Sequence, residues 1–266
     1  MVIANGSAIT ILCDISDFEA VCIESNCRPC FPSCFYASEL SRSHIELSDP
    51  GGAYNAFFER YRAAVCVKPE FTVTVDSDCV NGVPFSQSGN SRFFLMHKAI
   101  SDFLLSNYVL TFHASALCYE GKTYLFSAPS GTGKSTHTRL WRETFGEKVV
   151  MICDDQPFIG FDETGRAICY GSPYNGKEKL GANIEAPIGG ICVCRRAEDN
   201  SLHRLSAAEA VLRLSPNAYI PEEADLAAKA LTLIKRLAET VPAYDHAFNM
   251  DPSAAEYAMK HLIEKD

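Results

Sequence analysis

Residues 128–136 read Ala-Pro-Ser-Gly-Thr-Gly-Lys-Ser-Thr, and no other segment constrains the fold as strongly. An apolar run at residues 123–126 precedes this segment and is typical of a strand, and residues 136–141 can continue as a helix. A strand, a glycine-rich turn and a helix in this order form the phosphate-binding loop Gly-x-x-x-x-Gly-Lys-Ser/Thr, from which the chain departs only by Ala128 in place of the first glycine. The segment therefore predicts an α/β protein that binds a nucleotide.

Each part of the predicted loop has a task that follows from its chemistry. Gly131 and Gly133 let backbone N–H groups approach phosphate oxygens, and the start of the following helix adds partial positive charge. Lys134 can reach the β- and γ-phosphates, and the Ser135 hydroxyl can ligate Mg²⁺. The predicted ligands are ATP and Mg²⁺, and the predicted nucleotide-binding residues are Ser130, Gly131, Thr132, Gly133, Lys134, Ser135 and Thr136.

Two acidic residues, Asp154 and Asp155, end the first strong strand after the loop, which is predicted at residues 148–153. In nucleotide kinases a carboxylate at the end of a strand holds Mg²⁺, directly or through water. A second carboxylate beside it can accept the proton of an attacking hydroxyl group. The pair therefore predicts one metal ligand and one general base.

Three segments together resemble the catalytic domain of the HPr kinase/phosphorylase family, which has the phosphoenolpyruvate carboxykinase-like fold. They are residues 112–115 (Phe-His-Ala-Ser), the loop at residues 127–136, and residues 153–155 (Cys-Asp-Asp). The resemblance implies that one of the two acids is the general base and that the other is a metal ligand together with Ser135. It favours Asp154 as the base and Asp155 as the ligand. It also implies that His113 is a catalytic residue that lies beside them.

The chain also departs from this family's pattern. Ala114 follows His113 where the family has glycine, and Thr136 stands where the family has glutamate. The family's acidic, glycine-rich strand is replaced by residues 170–178, which look like a segment of the broader group of HPr-kinase-like proteins, some of which phosphorylate peptide serines. In this segment Asn175 and Lys177 are candidates to contact the γ-phosphate or the acceptor, with Lys177 as a catalytic residue.

The resemblance implies an ATP-dependent kinase that transfers the γ-phosphoryl group to a hydroxyl, on a serine of a peptide or protein. Two alternatives stay open: a small-molecule kinase that acts on a small hydroxyl compound, and a non-catalytic ATP-binding regulatory or scaffold protein. A third interpretation is a metal-binding or docking module, because thiols can bind zinc or an iron–sulfur cluster. Its candidate ligands are Cys22, Cys27, Cys30 and Cys34. Only one Cys-x-x-Cys pair is present, so we expect no metal there.

Hydrophobic patterning divides the chain near residue 92. Residues 1–92 contain short β-type runs separated by Gly, Pro, Asn and Asp clusters, which predict a β-rich N-terminal subdomain. For residues 93–266 the resemblance implies a phosphoenolpyruvate carboxykinase-like P-loop kinase core, and the pattern predicts a helical C-terminal part. Helices are predicted at residues 92–106, 206–214 and 224–239 and after an Asp251-Pro252 start signal.

Composition bears on partners and location. A net charge of −9 without a basic run disfavours nucleic acid and anionic membrane surfaces as partners. No apolar stretch approaches the length of a membrane span, and no basic residue precedes the apolar run at residues 8–12, so we expect a cytoplasmic protein. Whether it forms a homo-oligomer stays open. The 12 cysteines are then expected to be reduced, with Cys153, Cys169, Cys192 and Cys194 as small core residues.

Overall fold

The computed structural model of the chain describes residues 2–5, 8–13, 43–48, 71–74, 79–84, 91–176 and 178–263. These residues fall into two compact units that divide between Val109 and Leu110. Several residues singled out from the sequence lie outside the described residues, so the expectations placed on them stay predictions. They are Cys22, Cys27, Cys30, Cys34 and Lys177.

The first unit contains short strands and one helix. Its described elements are β1 (Val2–Asn5), β2 (Ala8–Cys13), β3 (Ser43–Ser48), β4 (Phe71–Thr74), β5 (Cys79–Val80), β6 (Val83–Pro84) and α1 (Ser91–Ser106). The first four strands form one sheet in chain order, in which only β3 and β4 are parallel. β5 and β6 form a hairpin whose turn residues, Asn81 and Gly82, have φ values of 49° and 76°, as a two-residue turn requires.

Helix α1 buries one face inside the first unit. Met96, Ile100 and Leu104 are spaced four residues apart and are fully buried, and α1 contacts β4 and β5. The sequence divided the chain near residue 92 and placed this helix in the second domain. In the structure the helix belongs to the first unit, because its apolar stripe packs against β4 and β5.

The second unit is built on a mixed sheet of nine strands. They are β7 (Leu110–Thr111), β8 (Ser115–Tyr119), β9 (Lys122–Ser127), β10 (Val149–Cys153), β11 (Phe158–Phe161), β12 (Ala167–Tyr170), β13 (Glu185–Arg196), β14 (Ser201–Arg204) and β15 (Ala243–Phe248). Their order is β10-β8-β9-β13-β12-β11-β7, and β15 pairs with β13 and β14. β13 is parallel to both β9 and β15, and β8 is antiparallel to β9 and β10. β9, β10, β13 and β15 therefore share one direction.

Four helices accompany this sheet: α2 (Lys134–Phe145), α3 (Ala207–Leu214), α4 (Ala224–Thr240) and α5 (Ser253–Leu262). The predicted capping box of α3 is present, since Ser206 and Glu209 bond each other's backbone N–H. The start of α5 differs from the prediction. Pro252 occupies the N-cap position, and Asp251 Oδ1 accepts a hydrogen bond from Ser253 N at 2.9 Å. In the described part of the chain, no helix has the length and apolar character that crossing a membrane requires.

Helices cover both faces of the second sheet. Side chains alternate between the two faces along a strand, so Phe248 and Asp245 of β15 point in opposite directions. Phe248 packs in one core with Trp141 of α2 and Ala258 of α5, whereas Asp245 pairs with Arg213 of α3. A sheet with helices on both faces is the α/β architecture that the sequence predicts.

The cysteines predicted to be core residues are buried and carry free thiols. Cys153, Cys169 and Cys192 have no exposed surface and Cys194 has 3%. Burial raises the pKa of the Cys153 thiol to about 11, which keeps it protonated near neutral pH and unreactive.

The C-terminal part is less helical than the sequence predicts. β14 lies before α3 and β15 lies between α4 and α5, and β11 is a further strand that the sequence analysis did not identify. β15 reads Ala-Tyr-Asp-His-Ala-Phe, which has neither a continuous apolar run nor strict alternation. Its place beside β13 depends on parallel pairing with a distant segment, and a local pattern does not report that pairing.

Candidate phosphate-binding site

Several chain segments meet at one edge of the second sheet. Because β9, β10, β13 and β15 share one direction, the residues that follow them come together at their carboxyl ends, where α/β sheets bind ligands. The loop at residues 128–133 follows β9, Asp154 follows β10, and Arg196 ends β13. β8 runs the opposite way, so Ser115 at its start and His113 just before it lie at the same edge.

The loop has the backbone form that phosphate binding requires. Gly131 and Gly133 have φ values of 80° and 112°, in the region where any side chain would be strained. Helix α2 begins at Lys134, directly after the loop, and His137 N donates to Gly133 O at 2.9 Å in its first turn. The free N–H groups at the helix start therefore face the loop, as in other anion sites at helix N-termini.

Lys134 is held inside the loop. Only 8% of its surface is exposed, and its Nζ donates to the carbonyl oxygen of Ala128 at 2.8 Å. Burial lowers the pKa of Lys134, and the nearby carboxylates of Asp155 and Asp154 oppose that shift. The ammonium group is therefore close to both acids.

Asp154 lies in a network of hydroxyl groups. It is 4% exposed and accepts a hydrogen bond from Ser115 Oγ at 2.9 Å. Ser115 Oγ is also 2.9 Å from Thr138 Oγ1 on α2, and the Ser135 hydroxyl lies near the Asp154 carboxylate. Burial raises the pKa of Asp154, while the hydroxyls of Ser115 and Ser135 oppose the rise. Asp154 is thus fixed in orientation and tied to the residue that the sequence predicts as a metal ligand.

Asp155 occupies a different environment, one residue further on. Its Oδ1 lies 3.3 Å from His113 Nε2, and the two side chains are 38% and 32% exposed. The backbone aligns this pair, since Ala114 N donates to Asp155 O at 2.9 Å and Phe112 N donates to Pro157 O at 3.0 Å. The predicted neighbourhood of His113 and the acids is therefore present, and it is Asp155 that His113 contacts.

The segment at residues 171–181 packs tightly against the end of β10. Asn175 Oδ1 accepts from the backbone N–H of Asp154 at 3.3 Å. A Cβ atom built on Gly176 would lie 2.8 Å from Asp154 Oδ2, and one built on Gly181 would lie 1.9 Å from Asn175 Oδ1. Gly176 therefore leaves space for the Asp154 carboxylate, and Gly181 leaves space for the Asn175 side-chain amide that accepts from the Asp154 backbone.

The structure also brings residues to the site that the sequence analysis did not assign to it. Ser115 and Thr138 carry the hydroxyl network of Asp154. Arg196 donates from Nε to Thr132 O at 2.8 Å and from Nη2 to Gly131 O at 3.0 Å. In the sequence, Arg196 is recognisable as the second of two arginines that follow an apolar run. Its contact with the loop could not be predicted from this pattern, because that contact depends on β13 lying beside β9.

An open cleft lies along the loop on the side of Arg196. Its volume is about 450 Å³, and it is lined by Pro129, Ser130, Gly131, Thr132, Cys194, Arg195 and Arg196. Among the described residues no three His, Cys, Asp or Glu side chains converge to form an all-protein metal site. Mg²⁺ does not need one, because it is commonly held by one or two protein groups together with substrate phosphates.

Known proteins that are similar to this chain are found among solved structures. No family model matches the chain, and no curated protein matches it. The chain is similar to the solved structure of the Hpr(Ser) kinase/phosphatase from Coxiella burnetii, with a TM-score of 0.34 and 10% sequence identity. The match covers 58% of this chain and 88% of that chain. This likeness is too weak to assign a function.

Proposed function

We propose that the chain is an ATP-dependent kinase of the phosphoenolpyruvate carboxykinase-like type that phosphorylates a hydroxyl group, on a serine of a peptide or protein. One observation carries the proposal. The phosphate loop with Lys134 and Ser135 lies at the same sheet edge as Asp154, Asp155 and His113. A phosphate cradle and a carboxylate that can take a proton are the two parts that phosphoryl transfer needs.

The residues at this edge fit a nucleotide triphosphate and Mg²⁺. A Cβ atom built on Gly131 would meet nothing within 4 Å, so no protein atom fills the space beside this glycine. Lys134 would contact the phosphates, and Ser135 and Asp154, which lie near each other, would hold the metal ion. When bound, Mg²⁺ neutralises charge that develops on the transferred group.

The contacts support the reverse of the roles that the sequence favoured for the two acids. Asp154 is buried and lies near the hydroxyl that would ligate the metal ion, which suits a metal-side acid. Asp155 is partly exposed and paired with His113, which suits a group that an acceptor must reach. Asp155 would take the hydroxyl proton while the oxygen bonds to the γ-phosphorus and ADP leaves.

The exposed pair of Asp155 and His113 favours catalysis over scaffolding. A protein that only binds ATP needs the loop and a metal-side acid, whereas phosphoryl transfer also needs a second carboxylate that an acceptor can reach. A small-molecule kinase would use the same arrangement. For this reason the acceptor class has to be decided by experiment.

The experiment follows label transfer from Mg-[γ-³²P]ATP. The purified protein is incubated with a pool of serine-containing peptides, with the same pool carrying alanine for serine, and with small polyols and sugars. We expect label only in the serine pool and none with Asp155→Asn. Label in the small hydroxyl compounds alone would indicate a small-molecule kinase, and nucleotide binding without any transfer would indicate a scaffold. Absence of Mg-ATP binding would contradict all three.

A further inference from the structure

The last residue of β13 bridges two strand ends at the site. Arg196 lies at the carboxyl end of β13, whose neighbour β9 leads directly into the phosphate loop. Its guanidinium donates to two successive backbone carbonyls of that loop, from Nε to Thr132 O at 2.8 Å and from Nη2 to Gly131 O at 3.0 Å. One rigid, planar group thus fixes two adjacent peptide units.

The orientation of those peptide units decides where the loop's N–H groups point. In a trans peptide the carbonyl of one residue and the N–H of the next point in opposite directions. With the carbonyls of Gly131 and Thr132 turned to Arg196, the N–H groups of Thr132 and Gly133 turn to the other side of the loop. Of these two groups, the N–H of Thr132 donates a hydrogen bond to Pro129 O at 3.3 Å and is therefore used within the loop. The orientation of the Gly133 N–H is the one that the Thr132 carbonyl, held by Arg196, sets for a ligand. The free energy of phosphate binding in such a loop comes from N–H groups that converge on the concave side.

Gly133 shows how closely Arg196 lies against the loop. A Cβ atom built on Gly133 would lie 3.6 Å from Arg196 Nε and from Met250 Sδ, which follows the parallel strand β15. A Cβ atom at position 133 would therefore come into ordinary van der Waals contact with Arg196, at the end of β13, and with Met250, two residues after β15.

We propose that Arg196 is a positioning residue of the phosphate loop, which holds the Gly131 and Thr132 carbonyls outward so that the Gly133 N–H faces the nucleotide phosphates. This inference rests on the proposed function in so far as the ligand is a nucleotide. The fork geometry is essential to it, because a single ammonium cannot donate to both carbonyls in the same arrangement. The charge also offsets the two carbonyl dipoles that would otherwise face solvent near bound phosphate.

The preceding residue supplies a matched control. Arg195 lies on the same strand, is exposed like Arg196, and carries the same charge. Its Nε bonds to Asp245 at 3.1 Å, on β15. Removing Arg195 therefore changes the net charge of this edge by the same amount without removing the loop contacts reported for Arg196.

The test compares Arg196→Ala, Arg196→Lys and Arg195→Ala with the wild type in two measurements. Hydrogen–deuterium exchange of the free protein reports on the loop amides, and calorimetric titration with Mg-ATP reports on binding. We expect Arg196→Ala to accelerate exchange at residues 131–134 and to weaken Mg-ATP binding, each by about tenfold or more, because charge-assisted hydrogen bonds are lost. Arg196→Lys should resemble Arg196→Ala, and Arg195→Ala should resemble the wild type in exchange.

Steady-state kinetics separates positioning from catalysis. Arg196→Ala should raise KM for ATP by about tenfold and change kcat much less, because the fork acts on the ground state and on the transition state alike. If the wild type binds no Mg-ATP, the proposed function fails, and loop exchange alone decides the role of Arg196. Unchanged exchange in Arg196→Ala, or wild-type exchange in Arg196→Lys, would overturn the proposal.

Discussion

At the scale of single residues, the two adjacent acids show how position alone divides chemical roles. Asp154 and Asp155 follow the same strand, yet one is 4% exposed and the other has a side chain that is 38% exposed. Both residues lie in the bend that follows β10, where Asp154 turns to the hydroxyls of Ser115 and Ser135 and Asp155 turns to His113.

The first prediction concerns Lys134. Replacing Lys134 with alanine should weaken Mg-ATP binding by about tenfold or more, because a charge-assisted contact with phosphate is removed. Calorimetric titration measures the effect, with Lys148→Ala as control, since Lys148 is an exposed lysine just after α2. Equal affinity in Lys134→Ala and the wild type would remove the loop from the nucleotide site.

The second prediction separates the two acids. Asp155→Asn should keep Mg-ATP binding but lose transfer by roughly 10²-fold or more, because the proton acceptor is removed while its shape stays. Asp154→Asn should instead raise the Mg²⁺ concentration needed for half-maximal transfer. The measurement is a Mg²⁺ titration of label transfer for both variants and the wild type.

The opposite pattern in that titration would restore the assignment that the sequence favoured, with Asp154 as base. His113→Gln offers a further control, because it should reduce transfer without changing the Mg²⁺ requirement. No effect from either aspartate variant would place the acids outside the reaction.

At the scale of elements, the segment at residues 171–181 is fitted to the end of β10. Asn175 supports the Asp154 backbone, and Arg142 of α2 pairs with Glu178 at 2.9 Å. The sequence predicted this segment as part of the acceptor site from its lysine and its turn residues. The contacts give a different reason for its composition, namely that glycine at position 176 leaves space for the Asp154 carboxylate.

The third prediction tests this fit with Gly176→Ala. The φ angle of Gly176 lies outside the left-handed region, so the new methyl group brings a steric conflict with Asp154 Oδ2 rather than backbone strain. We expect Asp154 to be displaced and transfer to fall on the order of 10²-fold, since small misplacements of reacting groups have effects of that size.

Gly190→Ala is the control, because a Cβ atom there would meet its nearest neighbour at an ordinary 3.6 Å. Label transfer by both variants is the measurement. Wild-type transfer in Gly176→Ala would mean that this segment does not hold Asp154 against the sheet edge in solution.

At the scale of the whole molecule, a buried pair of histidines joins the phosphate-loop helix to the sheet. His137 of α2 and His246 of β15 have no exposed surface, and their Nε2 atoms lie 3.3 Å apart. Trp141 Nε1 donates to His137 Nε2 at 3.2 Å, which requires an unprotonated nitrogen there. Burial lowers the pKa of His246 to about 4 and lowers the pKa of His137 as well.

The fourth prediction is a loss of stability at mildly acidic pH. Both histidines have a lower pKa in the folded state than the ordinary 6.5, so between pH 6.5 and about 4 the unfolded chain binds protons that the folded chain does not. The contribution of these two histidines to the free energy of unfolding should therefore be fully present above pH 6.5. It should decrease as the pH falls, by up to about 1.4 kcal/mol per pH unit for each histidine.

Urea denaturation at pH 7.5 and pH 5.5 measures this dependence. The difference between the free energies of unfolding at the two pH values should shrink in His246→Gln. It should persist in His203→Gln, because His203 is exposed on the neighbouring strand β14. An unchanged difference in His246→Gln would show that other groups cause the pH dependence.

Local features of this protein could be predicted from sequence because neighbouring residues suffice to make them. The loop at residues 128–136 carries its own glycines, lysine and serine, and its φ values of 80° and 112° are what those glycines allow. The capping box of α3 and the apolar stripe of α1 depend on contacts three or four residues apart.

Only the tertiary structure decided which distant residues complete the site. Ser115, Arg196 and β15 reach the loop through strand pairings between segments far apart in the chain, and the hydrophobic pattern of one segment does not encode its neighbour. The contact of Asp154 with Ser135, and of Asp155 with His113, likewise depends on how β10 lies beside β8. The sequence by itself therefore determined the loop with its glycines, lysine and serine, and the order of strands in the sheet decided which groups surround it.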